Sequence, residues 1–240
     1  MASAASRCGW QGWRAGVTET LCGRYADARL SALERDALVW LDGFYQLEHL
    51  LAAREWVIAI TGGAASEALK FAALVHDAER FFPGGPTSTP QSGFDDADYL
   101  FLHSKRSADI IGEWLAGRPE PIDATFHRRV RALILRHEIG GDPEEDAIQA
   151  ADSLAWLSTF DWLAVQWVRD GRYNVAGARE KLDWMLARIR VPAALRMALP
   201  AYATTVTALE NPECLAVDPI YRRRQASDLR YLLGETDRPK

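Results

Sequence analysis

The chain has 240 residues, 48% hydrophobic and 25% charged, so it can bury a sizeable core, which excludes global disorder. Its formal net charge of -5 gives no basic field, which argues against a sequence-independent nucleic-acid binder. Cys8, Cys22 and Cys214 lack any CxxC spacing, which speaks against a disulfide framework or a zinc ribbon and for a reducing, cytoplasmic setting.

Taken in chain order, the apolar pattern is helical nearly throughout. Residues 1–32 read as an N-terminal extension without a continuous apolar stretch of the signal-peptide kind. From Leu33, apolar residues recur at three- and four-residue steps through Ala37, Leu38, Leu41 and Phe44. A second helix ends at Gly62-Gly63, and Ser66 caps a third that carries Leu69, Ala72, Ala73 and Val75. Residues 83–98 hold three prolines and three glycines and cannot form a helix. They are expected to form a flap near the site, with Phe94 as an apolar anchor. A helix carrying Ile110, Ile111, Trp114 and Leu115 follows, and Pro119 and Pro121 break the chain after it. Val130, Leu133 and Ile134 mark the next helix. Gly140-Gly141 then ends it, with Asp142 as N-cap and Pro143 opening a further helix. Ala147–Arg169 reads as one long helix, followed by helices at 179–190 and 193–209. Residues 33–168 form the expected core, with 169–240 as helices packed on it. No strand alternation is present, so the fold class is all-α. No apolar run is long enough to span roughly 30 Å of hydrocarbon, so no membrane partner is expected. The nine tryptophans read as core packing.

The chemistry lies in the histidines. His49, His76, His103 and His137 all sit in apolar helical surroundings; Asp77 follows His76 directly, and Asp152 lies among apolar neighbours in IQAADSLAWL. His127 lies in a charged stretch and reads as exposed. Alone, each histidine reads as a hydrogen-bonded core residue. Together, neutral imidazoles and carboxylates suit divalent transition ions, and packed helices can aim them into one pocket. At a helix end the side chains of an adjacent pair diverge by roughly 100°, so the carboxylate of His76-Asp77 can bridge two ions while the imidazole binds one.

The ordered set His49, His76-Asp77, His103, His137 and Asp152 resembles the HD-domain superfamily of metal-dependent phosphohydrolases, in its six-ligand, dinuclear form. The resemblance covers roughly residues 33–168 and implies an all-α HD-domain bundle. It further implies two divalent ions, Fe or Mn foremost, with Mg, Zn, Ni or Co also suited, and Asp77 as the bridging ligand. Arg80 stands where many members carry a basic residue, whereas Glu79 departs from the common Gly of the family's His-Asp-x-Gly-Lys variant. Asp152 follows His137 by 15 residues, similar to the bacterial dinuclear dinucleoside-tetraphosphate hydrolases; the superfamily's diiron oxygenases place that Asp farther away. The implied activity is hydrolysis of a phosphomonoester or phosphoanhydride, with a nucleotide as the foremost small-molecule substrate and a metal-bridging hydroxide as nucleophile. Asp77, Arg80 and Arg106 are the candidate catalytic residues. Of the two cations after His103, Lys105 and Arg106, Arg106 is the one at helical i+3. Glu48 or Asp77 is the candidate for orienting a ligand imidazole. The run Arg128, Arg129, Arg131 and Arg136 reads as a solvated face offset by Glu138, Glu144, Glu145 and Asp146. Two other readings share the ligand set. One is a diiron oxygenase that cleaves a C–P or C–C bond, with Tyr45 near its substrate; the other is a non-catalytic metal or nucleotide sensor.

Overall fold

The computed structural model describes Tyr25, residues 28–86 and residues 93–211. Most of the N-terminal extension, all three cysteines, residues 87–92 of the flap and the C-terminal tail lie outside the described residues.

The described residues form nine α-helices and no strand. They are α1 (Ala32–Trp40), α2 (Leu47–Ile60), α3 (Glu67–Val75), α4 (Ala97–Ala116), α5 (Ala124–Arg136), α6 (Pro143–Thr159), α7 (Asp161–Arg169), α8 (Val175–Ala187) and α9 (Pro192–Glu210). A 3₁₀ turn, Ala78–Phe81, follows α3. None of these helices is long and apolar enough to cross a membrane.

Local chemistry explains most of the helix starts. Ser31 and Asp142 each form a full capping box, with Glu34 and Glu145 reaching back to the cap N–H. Ser66, Asp96, Asp123 and Asn174 each accept a backbone N–H of the first turn. The helix α1 ends at Trp40 instead of running on to Phe44, because the chain turns at Gly43 with φ 83°.

The expected long helix 147–169 is two helices. Ser158 and Thr159 donate their hydroxyls to the Leu154 and Ala155 carbonyls, both at 2.7 Å, which competes with the helical ladder. Phe160 then leaves helical geometry and stacks on His49, ring centroids 5.0 Å apart. The break thus places an aromatic wall behind a candidate ligand. Helix α8 begins at Val175, earlier than the expected 179, because Asn174 caps it, and α4 takes in residues 97 and 98 of the expected flap.

Helix α6 is the axis of the bundle. It packs on α2, α3 and α5 on one side and on α7, α8 and α9 on the other. Its residues divide accordingly: Ala147, Ile148, Ala151 and Ala155 join the core of α1–α5, while Ala150, Leu154 and Leu157 join the core of the later helices. Asp152 stands between these apolar rows. A buried ion pair joins α1 to α2, with Arg54 Nε 2.5 Å from Glu34 Oε1 and Arg54 also donating to the Arg29 carbonyl.

Candidate metal centre

The residues His49, His76, Asp77, His103, His137 and Asp152 come from five different helices or their ends, and all six are buried. His49 lies in the first turn of α2, His103 within α4 and Asp152 within α6. His76 and His137 are the C-cap residues of α3 and α5. Each cap histidine places Nδ1 on the carbonyl three residues back, His76 on Ala73 at 2.9 Å and His137 on Ile134 at 2.6 Å. A carbonyl can only accept, so Nδ1 carries the proton and Nε2 is left as the ligating atom. The bond therefore satisfies a helix-end carbonyl and fixes a tautomer at once. His103 does the same through a carboxylate, with Nδ1 2.7 Å from Glu79 Oε1.

The Nε2 atoms point at one another and at the carboxylates. His49 Nε2 lies 3.3 Å from His76 Nε2, and Asp152 Oδ1 lies 3.1 Å from the first and 3.2 Å from the second. Asp77 Oδ1 faces three imidazoles, at 2.8 Å from His103 Nε2, 3.8 Å from His137 Nε2 and 3.9 Å from His76 Nε2. Three overlapping groups each offer donor atoms within 4.8 Å of one another: His49, His76 and Asp152; His76, Asp77 and His137; and His103, His137 and Glu138. His137 Nε2 and His49 Nδ1 are buried without a hydrogen-bond partner. An orphaned ligand nitrogen aimed at carboxylates, among imidazoles already held in tautomers that free Nε2, is the donor chemistry that a divalent cation satisfies. These buried groups could hold such ions.

Electrostatics of the cluster follow from burial and pairing. Burial works to lower the His76 pKa, but the Asp77 and Asp152 carboxylates outweigh it and raise it to about 9. For His103, burial and Arg80 push downward while Asp77 and Glu79 carry the balance upward. Burial opposes ionisation of Asp77, yet Arg80, His103 and His76 hold its carboxyl well below the usual range.

Several carboxylates and cations around the ligands were not legible in the sequence. Glu79 is buried and orients His103 through Oε1, an orienting carboxylate that the sequence did not single out. Glu138 carries its carboxylate 3.6 Å from His137 Nε2 and 3.8 Å from His103 Nε2, so it is part of the centre and not a surface offset for the arginines. Arg188, the C-cap of α8, donates to both Glu138 and Asp152 and, through Nε, to Ser153 Oγ at 2.8 Å. It lowers the pKa of both carboxyls against their burial.

Arg80 sits at the cluster. Its Nε donates to Asp77 Oδ2 at 3.0 Å and Nη1 to the Tyr99 hydroxyl at 2.8 Å. Asp77 therefore offers one oxygen to the histidines and the other to Arg80. Arg106 shares a helix face with His103; its Nε lies 3.6 Å from Glu79 Oε2, the carboxylate on His103, while Nη1 and Nη2 donate to the Gly84 and Pro83 carbonyls at 2.8 and 2.7 Å at the start of the flap segment. An arginine is long enough to leave its own helix face for unpaired loop carbonyls.

Gly140-Gly141 ends α5 as a helix cap: Gly140, with φ 69°, donates its N–H to the Arg136 carbonyl at 2.8 Å. His127 is half-buried rather than exposed, with Nε2 3.1 Å from the Gly112 carbonyl, and lies apart from the cluster. Arg129 and Arg131 are paired with Asp142, Glu144 and Asp109, as a solvated face requires.

No family model, curated protein or solved structure matches the chain.

Proposed function

We propose that the chain is a metal-dependent phosphohydrolase of the HD type, acting on a phosphomonoester or phosphoanhydride, with a nucleotide as the foremost substrate. The observation that carries this reading is the convergence of His49, His76, Asp77, His103, His137 and Asp152 on one buried centre, in the chain order of the dinuclear HD pattern.

In this reading His49, His76, Asp77 and Asp152 hold one ion and Asp77, His103 and His137 the other, with Glu138 beside the second. Fe and Mn suit this mixed imidazole and carboxylate set. Bound there, divalent ions supply Lewis acidity toward a phosphoryl oxygen and acidify water near neutral pH. The chain's own residues set the stage. Asp77 holds its position through Arg80, which leaves positive charge beside the ligands for a phosphoryl group. Glu79 and the Ala73 and Ile134 carbonyls hold three imidazoles in the ligating tautomer. Phe160 and the surrounding apolar core keep bulk water from the His49 side.

The test is metal analysis of protein purified without oxygen, followed by phosphate release from nucleotides, dinucleoside polyphosphates and sugar phosphates with Mn or Fe. About two ions per chain and phosphate release are expected. Oxygen uptake tied to product formation, with no phosphate released, refutes hydrolysis in favour of the oxygenase. Protein that takes up no metal refutes both.

A further inference from the structure

The chain has four lysines, Lys70, Lys105, Lys181 and Lys240. Lys70 pairs with Glu67, and Lys105 lies 2.6 Å from Asp109. Lys181, on α8, makes no hydrogen bond or ion pair with any described residue. Its ammonium stands instead among aromatic rings, 4.2 Å from the centroid of Trp184, 5.4 Å from Phe94 and 5.5 Å from Trp156. Rings attract a cation through their faces but offer no counter-charge.

The same indole of Trp184 carries a second cation, with Arg188 Cζ 4.4 Å from its centroid. Arg188 is committed to Glu138 and Asp152 at the candidate metal centre. Two cations therefore share one ring: Arg188 is bonded directly to the centre's carboxylates, whereas Lys181 feels the Glu138 and Asp152 charges without a direct ion pair. Burial and the Arg188 charge hold the Lys181 ammonium down to about 7, a cost that an arriving anion removes.

Phe94 and Trp184 are also walls of an open cavity of ≈ 590 Å³, which Tyr173, Asp95 and Glu180 line as well. Its aromatic walls suit a planar ring, and the Asp95 and Glu180 carboxylates suit N–H donors on that ring. Phe94 packs on Tyr173, centroids 5.5 Å apart, and stands against Lys181.

We infer that Lys181 receives a phosphate group of the substrate, and that the adjoining cavity between Phe94, Tyr173 and Trp184 takes that substrate's nitrogen-bearing planar ring. This deepens the phosphohydrolase reading and rests on it for the word substrate; the binding itself does not require metal.

The experiment is calorimetric titration of AMP and of ribose 5-phosphate into the full chain, both metal-free and Mn-loaded, for wild type, Lys181→Met and Lys181→Arg. Loss of one charge-assisted contact predicts AMP binding about tenfold or more weaker in Lys181→Met, recovery in Lys181→Arg, and weaker binding of ribose 5-phosphate than of AMP. Unchanged AMP affinity in Lys181→Met overturns the lysine's role, and so does wild type that binds neither probe. Equal affinity for the two probes overturns the ring assignment. A wild-type measurement guards against misfolding of the variants: AMP should protect Lys181, and not Lys70 or Lys105, from acetylation read by peptide mass spectrometry. Equal acetylation of Lys181 with and without AMP overturns the inference. Lys181-dependent AMP binding by a chain that takes up no metal sinks the hydrolase reading and leaves this one standing. Metal uptake and phosphate release unaffected by Lys181→Met does the reverse.

Discussion

Glu79 gives the sharpest test of the metal centre, because it touches one ligand and is itself no member of the three donor groups. Its Oε1 accepts His103 Nδ1–H at 2.7 Å, its own backbone N–H donates to Ser107 Oγ at 3.3 Å, and the side chain is buried. Replacing it with leucine keeps the volume but removes the acceptor, so the imidazole loses the bond that fixes its tautomer and makes Nε2 more basic. Loss of such an orienting carboxylate costs about 10- to 100-fold in metal affinity, or about 1.4–2.7 kcal/mol. Glu79→Gln retains an amide oxygen that can still accept, so it belongs at the low end of that range. The effect should fall on one ion. His103 faces Asp77 and Glu138, whereas His49, His76 and Asp152 form the group on the other side of the centre. Titration of Mn into metal-free protein should show two binding events in wild type. In Glu79→Leu the weaker or later event should shift while the other keeps its affinity. If both events shift equally, or neither does, the assignment of Glu79 and the division of the ligands between two ions are wrong.

Other outcomes follow from the same geometry. His103→Ala and His137→Ala should each lower the metal content from about two towards one by elemental analysis; a variant that keeps its full complement removes that residue from the ligand set. His76 gains a proton on folding without metal, since its pKa rises from 6.5 to about 9. Its contribution to metal-free stability is thus full below about 6.5 and lost as pH rises through about 9. Metal requires the neutral imidazole, so Mn affinity should climb between pH 6 and 9 with proton release, measured by calorimetry in buffers of different ionisation enthalpy; affinity flat over that range contradicts it. Glu34→Ala strands the buried Arg54 guanidinium with only Glu55 and the Arg29 carbonyl. Urea denaturation should show a loss of about 3 kcal/mol, with metal content unchanged; a loss under 1 kcal/mol would mean that the pair does not hold α1 in place.

The sequence alone determined the helical class, the starts of α1, α3, α6 and α9 to within a residue or so, and the candidate ligands. Caps and breakers act within three or four residues, so Ser66, Asp142 with Pro143 and the glycines at 62–63 and 140–141 are legible without a fold. Histidine among apolar neighbours is unusual enough to be noticed one residue at a time, and the order of six supplies the rest. What surrounds those ligands was decided by tertiary structure. The partner of His103 is 24 residues away, and the partners of Arg188 are 36 and 50 residues away. Helical periodicity says which residues share a face, not which face of which other helix they meet. This is why Arg106, on the face of His103, divides its guanidinium between Glu79 and the loop carbonyls of Pro83 and Gly84, while Arg80 bonds Asp77 directly. It is also why Glu138 read as a counter-charge for nearby arginines, although α8 brings Arg188 to it from across the bundle. Lys181 is the extreme case. In sequence it is one charge among many on an amphipathic helix. Only tertiary packing brings Phe94, Trp156 and Trp184, rings from three separate segments, around an ammonium that makes no direct ion pair with a described residue.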